Sequence, residues 1–169
     1  MKRRDFVVSA AVLGPGLAWA APAPVHTLAQ ARLWLDQLER MPGAKTTGAW
    51  PLVAVLEHLA QSIEMSMDGF PQPKSAAFQH TVGAAAFAVF QWRGKMRHGL
   101  DEPIPGAPAL TLQGDWKASA GRLRGALARF EAHTGPLKPH FAYGALSHAE
   151  FAQAHVFHIA NHQDEIVWG

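Results

Sequence analysis

Four histidines have the spacing and the neighbours expected of metal ligands. His155, His158 and His162 fall in one C-terminal segment, and His58 lies much earlier in the chain. Residues four apart on a helix are offset by only about 40°, so the imidazoles of His158 and His162 can converge on one ion from one face. A third ligand must then come from another helix, and we predict His58. His155 lies one turn before His158 on the same stripe and is the reserve ligand.

Three histidines with one open position are typical of a catalytic metal site, whereas structural sites are closed. A divalent metal ion is therefore the predicted cofactor. The alternative is that each histidine lies in an apolar face and is satisfied by a hydrogen bond, with no metal at all.

Several polar residues are candidates to support such a site. Glu165, Asn161, Gln61 and Glu57 could fix the tautomer of a ligating imidazole. His140 precedes the last helix and could transfer protons at the mouth of the site or hydrogen-bond a loop carbonyl. The remaining histidines are interpreted as surface or cap residues and receive no role: His26, His80, His98, His133 and His148.

The segments that must position these residues have helical periodicity. Thr27 can cap the first helix, and Ser147 and Glu150 have the capping-box spacing at the start of the last. Proline and glycine punctuate the chain between the helices. The predicted helices run from Leu28 to Met41, from Trp50 to Met67, from Ser75 to Met96, from Asp115 to the Gly135-Pro136 turn, and from Ser147 through Ile166.

The third of these segments, residues 75–96, is rich in Ala, Val and Phe and has few charges, which predicts a helix deep in the interior. No segment alternates with period two. With 169 residues, 49% of them hydrophobic, the chain is expected to form one all-α domain, a bundle of four or five helices.

Charge and cysteine content exclude several classes of function. The formal charge of +2 comes from the first residues, since removing Lys2, Arg3, Arg4 and Asp5 leaves 12 basic and 12 acidic side chains. A neutral remainder argues against a nucleic-acid partner, which needs a basic surface. The chain has no cysteine, which excludes disulfides, thiolate nucleophiles and cysteine-rich metal sites.

Residues 1–20 have the three parts of a cleavable signal peptide: a basic start, a short apolar stretch and a small-x-small ending at Ala18-Trp19-Ala20. The paired Arg3 and Arg4, followed by Asp5 and Phe6, indicate the twin-arginine type, which carries folded proteins. The apolar stretch is too short for a permanent membrane anchor. We therefore expect periplasmic localisation, with residues 21–26 as an extended lead-in to a domain at 27–169.

Three stretches together resemble the DinB-like metal-binding helical-bundle superfamily and, within it, domain-of-unknown-function family 1569, whose members often carry twin-arginine signals. The likeness runs from about Thr27 to the end of the chain. The stretches are Leu56-Glu57-His58-Leu59 with Gly69-Phe70-Pro71 downstream, residues 140–147 (HFAYGALS), and residues 155–162 (HVFHIANH).

The resemblance implies an up-down four-helix bundle with an additional helix, in which His58, His158 and His162 hold a divalent ion, often zinc or nickel. This sequence departs from the family pattern at Asn161, where a second histidine is usual, and at Glu165, where glutamine is usual. A carboxylate at Glu165 could act as general base or as a fourth ligand.

Three functions follow as hypotheses. The first is a metal-dependent hydrolase or transferase acting on an unknown small molecule, since some relatives in the superfamily have such activities. The second is a periplasmic metal-binding protein without turnover, and the third is a structural bundle with no metal. The expected partners are the twin-arginine export machinery and the substrate, and a homodimer is possible.

Overall fold

Helices account for most of residues 22–168, which are the residues that the computed structural model describes. An all-α fold is therefore confirmed, and the signal segment predicted at residues 1–20 lies outside the described part. One turn of π-helix, Gln79–Gly83, joins the third and fourth helices. The helices are α1 (Leu28–Arg40), α2 (Leu52–Asp68), α3 (Ala76–Phe78), α4 (Ala84–Arg93), α5 (Trp116–Ala132) and α6 (His148–Gln163), and the two short strands are β1 (Lys45–Thr46) and β2 (Ile166–Val167).

The central element is α2, in which 13 of 17 residues are buried. It packs most extensively against α5 and also against α6, and α1 packs against the same two helices. Along the α2–α6 contact His58 meets His158 and Ser66 meets His155, so the two helices run antiparallel. A helix apolar on nearly every side must be enclosed by others, and the polar residues of α2 therefore meet those of α6 inside the protein.

The predicted helix starts are confirmed by their hydrogen bonds. The side chain of Thr27 accepts from the backbone N–H of Gln30, and Ser147 and Glu150 form the full reciprocal capping box. Each such cap satisfies amide groups that have no partner inside the helix. The last cap fixes the start of α6 and, with it, the rotation at which the histidines of α6 face α2.

The prediction that residues 75–96 lie deep in the interior is wrong. Only Gly83, Phe87 and Met96 are buried in this segment, while Trp92 is 85% exposed. The segment covers the loop before α6 instead of the core: Phe87 stacks on Tyr143, and a Cβ added to Gly83 would overlap the Ala142 carbonyl. Low charge and apolar composition do not distinguish a helix in the core from one that covers a loop.

The chain after α6 turns into a strand, which periodicity did not predict. We expected Ile166 on the last helix, but α6 ends at Gln163 and Ile166 pairs with Thr46 in the antiparallel β1–β2 ribbon. The backbone N–H of Thr47 also donates to the carbonyl oxygen of Glu165 at 2.8 Å. This ribbon fixes the residues just after α6 against the α1–α2 connection.

The lead-in segment is tied to the end of α6. Val25 is buried, and its N–H donates to the side chain of Gln163, whose amide in turn donates to the carbonyl of Ala23. Across residues 22–168, no helix combines the length and the apolar character needed to cross a membrane.

Candidate metal centre

Two imidazoles meet where α2 faces α6. The Nε2 atoms of His58 and His158 are 3.1 Å apart, and Nδ1 of His158 lies 3.2 Å from the hydroxyl of Ser62, one turn further along α2. When Ser62 accepts the Nδ1 proton, Nε2 of His158 is left with a lone pair directed at His58. Sequence analysis did not single out Ser62, whose part depends on the register of the two helices.

The third imidazole is held by a buried carboxylate. Nδ1 of His162 and Oε1 of Glu165 are 2.7 Å apart, and both side chains are almost completely buried. A carboxylate that accepts the Nδ1 proton leaves the lone pair on Nε2, which is the arrangement found behind metal-ligating histidines. Within the described residues Nε2 of His162 is buried and has no hydrogen-bond partner. Glu165 thus lies behind His162, where it orients the ring.

The structure brings all three predicted ligands together. His58, His158 and His162 each offer one ligand atom, and these atoms lie within 4.8 Å of one another. The ring centres of His162 are 5.3 Å from His58 and 5.0 Å from His158. Of the residues that the structure describes, these three form the one group of this kind.

Burial and mutual proximity disfavour charge on two of these rings, those of His58 and His158. Burial, followed by the nearby His162 and His98, lowers the pKa of His58 to about 3. The pKa of His158 also lies well below its ordinary value, because the ring is buried and because His58 lies beside it. When both Nε2 atoms of His58 and His158 carry lone pairs, the two rings repel each other, and a cation between them removes that repulsion. The donor set therefore fits a divalent ion, since neutral imidazole nitrogen suits zinc and nickel.

A fourth imidazole, which sequence analysis left without a role, completes the cluster. His98 lies in the connection between α4 and α5, with its ring centre 4.8 Å from His158 and 5.3 Å from His162. Its Nδ1 is 2.6 Å from the carbonyl of Gly99, so Nε2 carries the lone pair, and that atom is buried without a partner in the described chain. His98 is thus half-buried and faces the cluster, but it does not belong to the group whose ligand atoms all lie within 4.8 Å of one another.

His155, the reserve ligand, and His140, in the loop before α6, lie outside the group of three histidines. Nε2 of His155 is 3.2 Å from the hydroxyl of Ser66, and His155 is not part of the metal-ligand group. His140 does not donate to a loop carbonyl: its Nδ1 accepts the backbone N–H groups of Ala142 and Tyr143. Both rings line the same pocket as His58 and His158.

The other candidates for orienting an imidazole hold the loop that carries His98. Asn161 lies 3.5 Å from the carbonyl of His98, Gln61 donates to the carbonyl of Pro108, and Glu57 accepts the backbone N–H of Thr111. No hydrogen bond joins Asn161, Gln61 or Glu57 to His58, His158 or His162 in the described structure. These partners lie in an irregular segment, which no spacing rule could have identified, and Glu57 also accepts from Arg122 of α5.

A model of the family of proteins of unknown function DUF1569 matches residues 24–168. The chain belongs to the DUF1569 family. No curated protein and no solved structure matches it. Membership of DUF1569 carries no activity with it, so the function must be inferred from the site.

A pocket opens onto the histidine cluster of this DUF1569 protein. It has a volume of about 230 Å³, and His58, His98 and His158 lie on its wall. The pocket is more apolar than polar, and proline, isoleucine and aromatic side chains from the two loops beside α6 form much of the remaining lining. Two charged side chains, Lys74 and Glu102, also line it. An ion among the imidazoles would be accessible to a small molecule.

The contact between Glu165 and His162 gives a testable expectation for this DUF1569 protein. Glu165→Gln should lower zinc affinity by about 10–100-fold, because the amide no longer holds the Nδ1 proton of His162 as a carboxylate does. Gly48→Ala should act in the same direction, because an added Cβ would overlap Oε2 of Glu165. Competition with a chromophoric chelator measures the affinity.

The matched control is Asp164→Asn, which removes the neighbouring exposed carboxylate. Zinc affinity of this variant should equal that of the wild type. An unchanged affinity in Glu165→Gln would show that the carboxylate does not orient a ligand.

Proposed function

We propose that this protein binds one divalent metal ion, zinc or nickel, through His58, His158 and His162 and acts as a metal-dependent hydrolase or transferase on a small molecule. The observation that carries the proposal is the convergence of three imidazoles within 4.8 Å, with Nε2 of His162 buried and unpartnered in the described chain. A buried polar atom without a partner is costly, and a bound cation removes that cost.

The chemistry follows from the donor set and its surroundings. A divalent ion in such a site supplies Lewis acidity, which prepares a water or thiol nucleophile near neutral pH. The chain's own residues do the rest: Glu165 and Ser62 orient the imidazoles of His162 and His158, and the apolar wall of the pocket excludes bulk water.

The pocket favours an enzyme over a binding protein without turnover. A site that only stores or carries an ion needs no space beside it, whereas here a cavity of about 230 Å³ reaches two of the three ligands. The third hypothesis, histidines that only satisfy one another, is disfavoured because His162 Nε2 and His98 Nε2 both lack partners in the described residues.

Azide binding to the cobalt-substituted protein tests this proposal. Cobalt(II) in a three-histidine site with access from the pocket should show visible absorption bands that shift and saturate as azide is added. Ala154→Phe, which fills the pocket, should weaken the shift, whereas Ala152→Phe on the same helix should not. Cobalt bands that azide leaves unchanged would favour the non-catalytic metal-binding protein.

We also propose the finer fold and the cellular location. The likeness to DinB-like proteins supports an up-down four-helix bundle formed by the longer helices. Arg3 and Arg4 support export by the twin-arginine machinery to the periplasm, and export of a folded chain allows the ion to be inserted before translocation. Fractionation of cells that express the Arg3→Lys, Arg4→Lys variant tests export, and unchanged periplasmic accumulation would rule this route out.

A further inference from the structure

The pocket beside the metal centre has a second end with a different chemistry. One end is formed by His58 and His158, and the other by the loop that leads into α6, where His140 and Tyr143 lie. His155 lies between the two ends, one helical turn from His158. A bound molecule can therefore contact the metal ligands and the loop at once.

His140 presents a fixed hydrogen-bond donor at that second end. Its Nδ1 accepts two backbone N–H groups, from Ala142 at 3.1 Å and from Tyr143 at 3.2 Å, so the single proton of the neutral ring must be on Nε2. The ring stacks on Tyr143 with centres 4.2 Å apart, and burial lowers the pKa of His140 to about 3. Nε2–H meets no acceptor among the described residues, so the acceptor it lacks can come from a ligand.

Lys74 brings positive charge to the same end, whereas the carboxylate of the pocket, Glu102, lies beside Gly99 and His98. Its backbone N–H donates to the carbonyl of Phe141 at 2.8 Å, and the side chain of Gln79 bridges the carbonyls of Lys74 and Phe141. Lys74 is thus held beside the loop that carries His140, and it forms no salt bridge with a carboxylate in the described chain. One cation and one neutral N–H donor together match a singly charged oxyanion such as a carboxylate.

We propose that this pocket binds the carboxylate of a small, otherwise apolar substrate between Lys74 and His140 Nε2–H. The body of the molecule lies along the apolar wall formed by Ile104 and Phe141, and its reacting group reaches His58 and His158. The location of the reacting group rests on the proposed metal-dependent function, whereas the carboxylate contact does not. The substrate class is thus a monocarboxylic acid or a derivative with a free carboxylate.

Hexanoate, with hexanamide as its uncharged counterpart, tests the proposal by calorimetric or NMR titration of both metal-free and zinc-loaded protein. Hexanoate should bind both forms, and at least tenfold more tightly than hexanamide, which corresponds to about 1.4 kcal/mol. Lys74→Met should weaken hexanoate binding about tenfold. Lys138→Met, which removes an exposed lysine that does not line the pocket, should leave binding unchanged.

A second measurement needs no substitution in the buried loop. Long-range proton–nitrogen NMR correlations of the wild type should show His140 protonated on Nε2, and this N–H signal should shift when hexanoate is added. Equal binding of hexanoate and hexanamide, no effect of Lys74→Met, or binding that requires zinc would overturn the carboxylate site. Failure of zinc itself to bind would contradict the proposed function and leave the hexanoate result to decide the carboxylate site.

Discussion

Excess zinc is expected to raise the free energy of unfolding of the wild-type protein by about 4 kcal/mol when its concentration is a thousand times its Kd. The gain arises because the folded chain gathers three imidazoles from α2 and α6, whereas the unfolded chain separates His58 from His158 by 100 residues. The double variant His158→Ala, His162→Ala should lose the gain, because the remaining His58 and His98 are too few ligands to hold the ion tightly.

Chemical denaturation with and without zinc measures this effect. His80→Ala is the matched control, since His80 is exposed and is not part of the metal-ligand group. It should keep the full stabilisation. Equal stabilisation of the wild type and the double variant would show that zinc binds at another site. If zinc stabilised neither protein, the proposed metal-dependent function would be contradicted.

Acid should destabilise the metal-free protein steeply below pH 6.5. Burial lowers the pKa of both His140 and His155 to about 3 in the folded state, against an ordinary value of 6.5. The unfolded chain therefore binds more protons between these pH values, so the stability present above pH 6.5 is lost as the pH falls. Each of the two histidines contributes a slope of up to about 1.4 kcal/mol per pH unit.

Denaturation curves at pH 7, 6 and 5 in the presence of a chelator measure the slope. The lowered pKa values of His58 and His158 act in the same direction. The unfolded chain should therefore bind at least two more protons than the folded chain in this pH range. His155→Leu should reduce the slope by the contribution of one proton, up to about 1.4 kcal/mol per pH unit. His80→Ala, which removes an exposed histidine, should leave the slope unchanged. A free energy of unfolding that is constant from pH 7 to pH 5 would show that these rings are not held neutral by burial.

The features that lie within a single helix could be predicted from the sequence. The i, i+4 relation of His158 and His162 and the caps at Thr27 and Ser147 are properties of single helices, so sequence was enough. The placement of His58 required only that α2 face α6 with its apolar side. These features explain why the convergence of three histidines from two separate segments could be predicted from the sequence.

The remainder of the site depends on tertiary packing that spacing does not encode. His98 lies in a connection rich in proline and glycine, where no periodicity tells a buried side chain from an exposed one. Glu165 reaches His162 because the β1–β2 ribbon holds the chain after α6. The burial of residues 75–96 was wrongly predicted because apolar content does not reveal what a helix covers.

The metal content of protein purified from its native compartment tests the central claim most directly, with X-ray absorption at the metal edge to identify the donor atoms. The structure predicts one divalent ion per chain, bound by at least three imidazole nitrogens, and its loss from the His158→Ala, His162→Ala variant. A wild-type protein without stoichiometric metal, or with an equal amount in that variant, would contradict a metal centre at His58, His158 and His162.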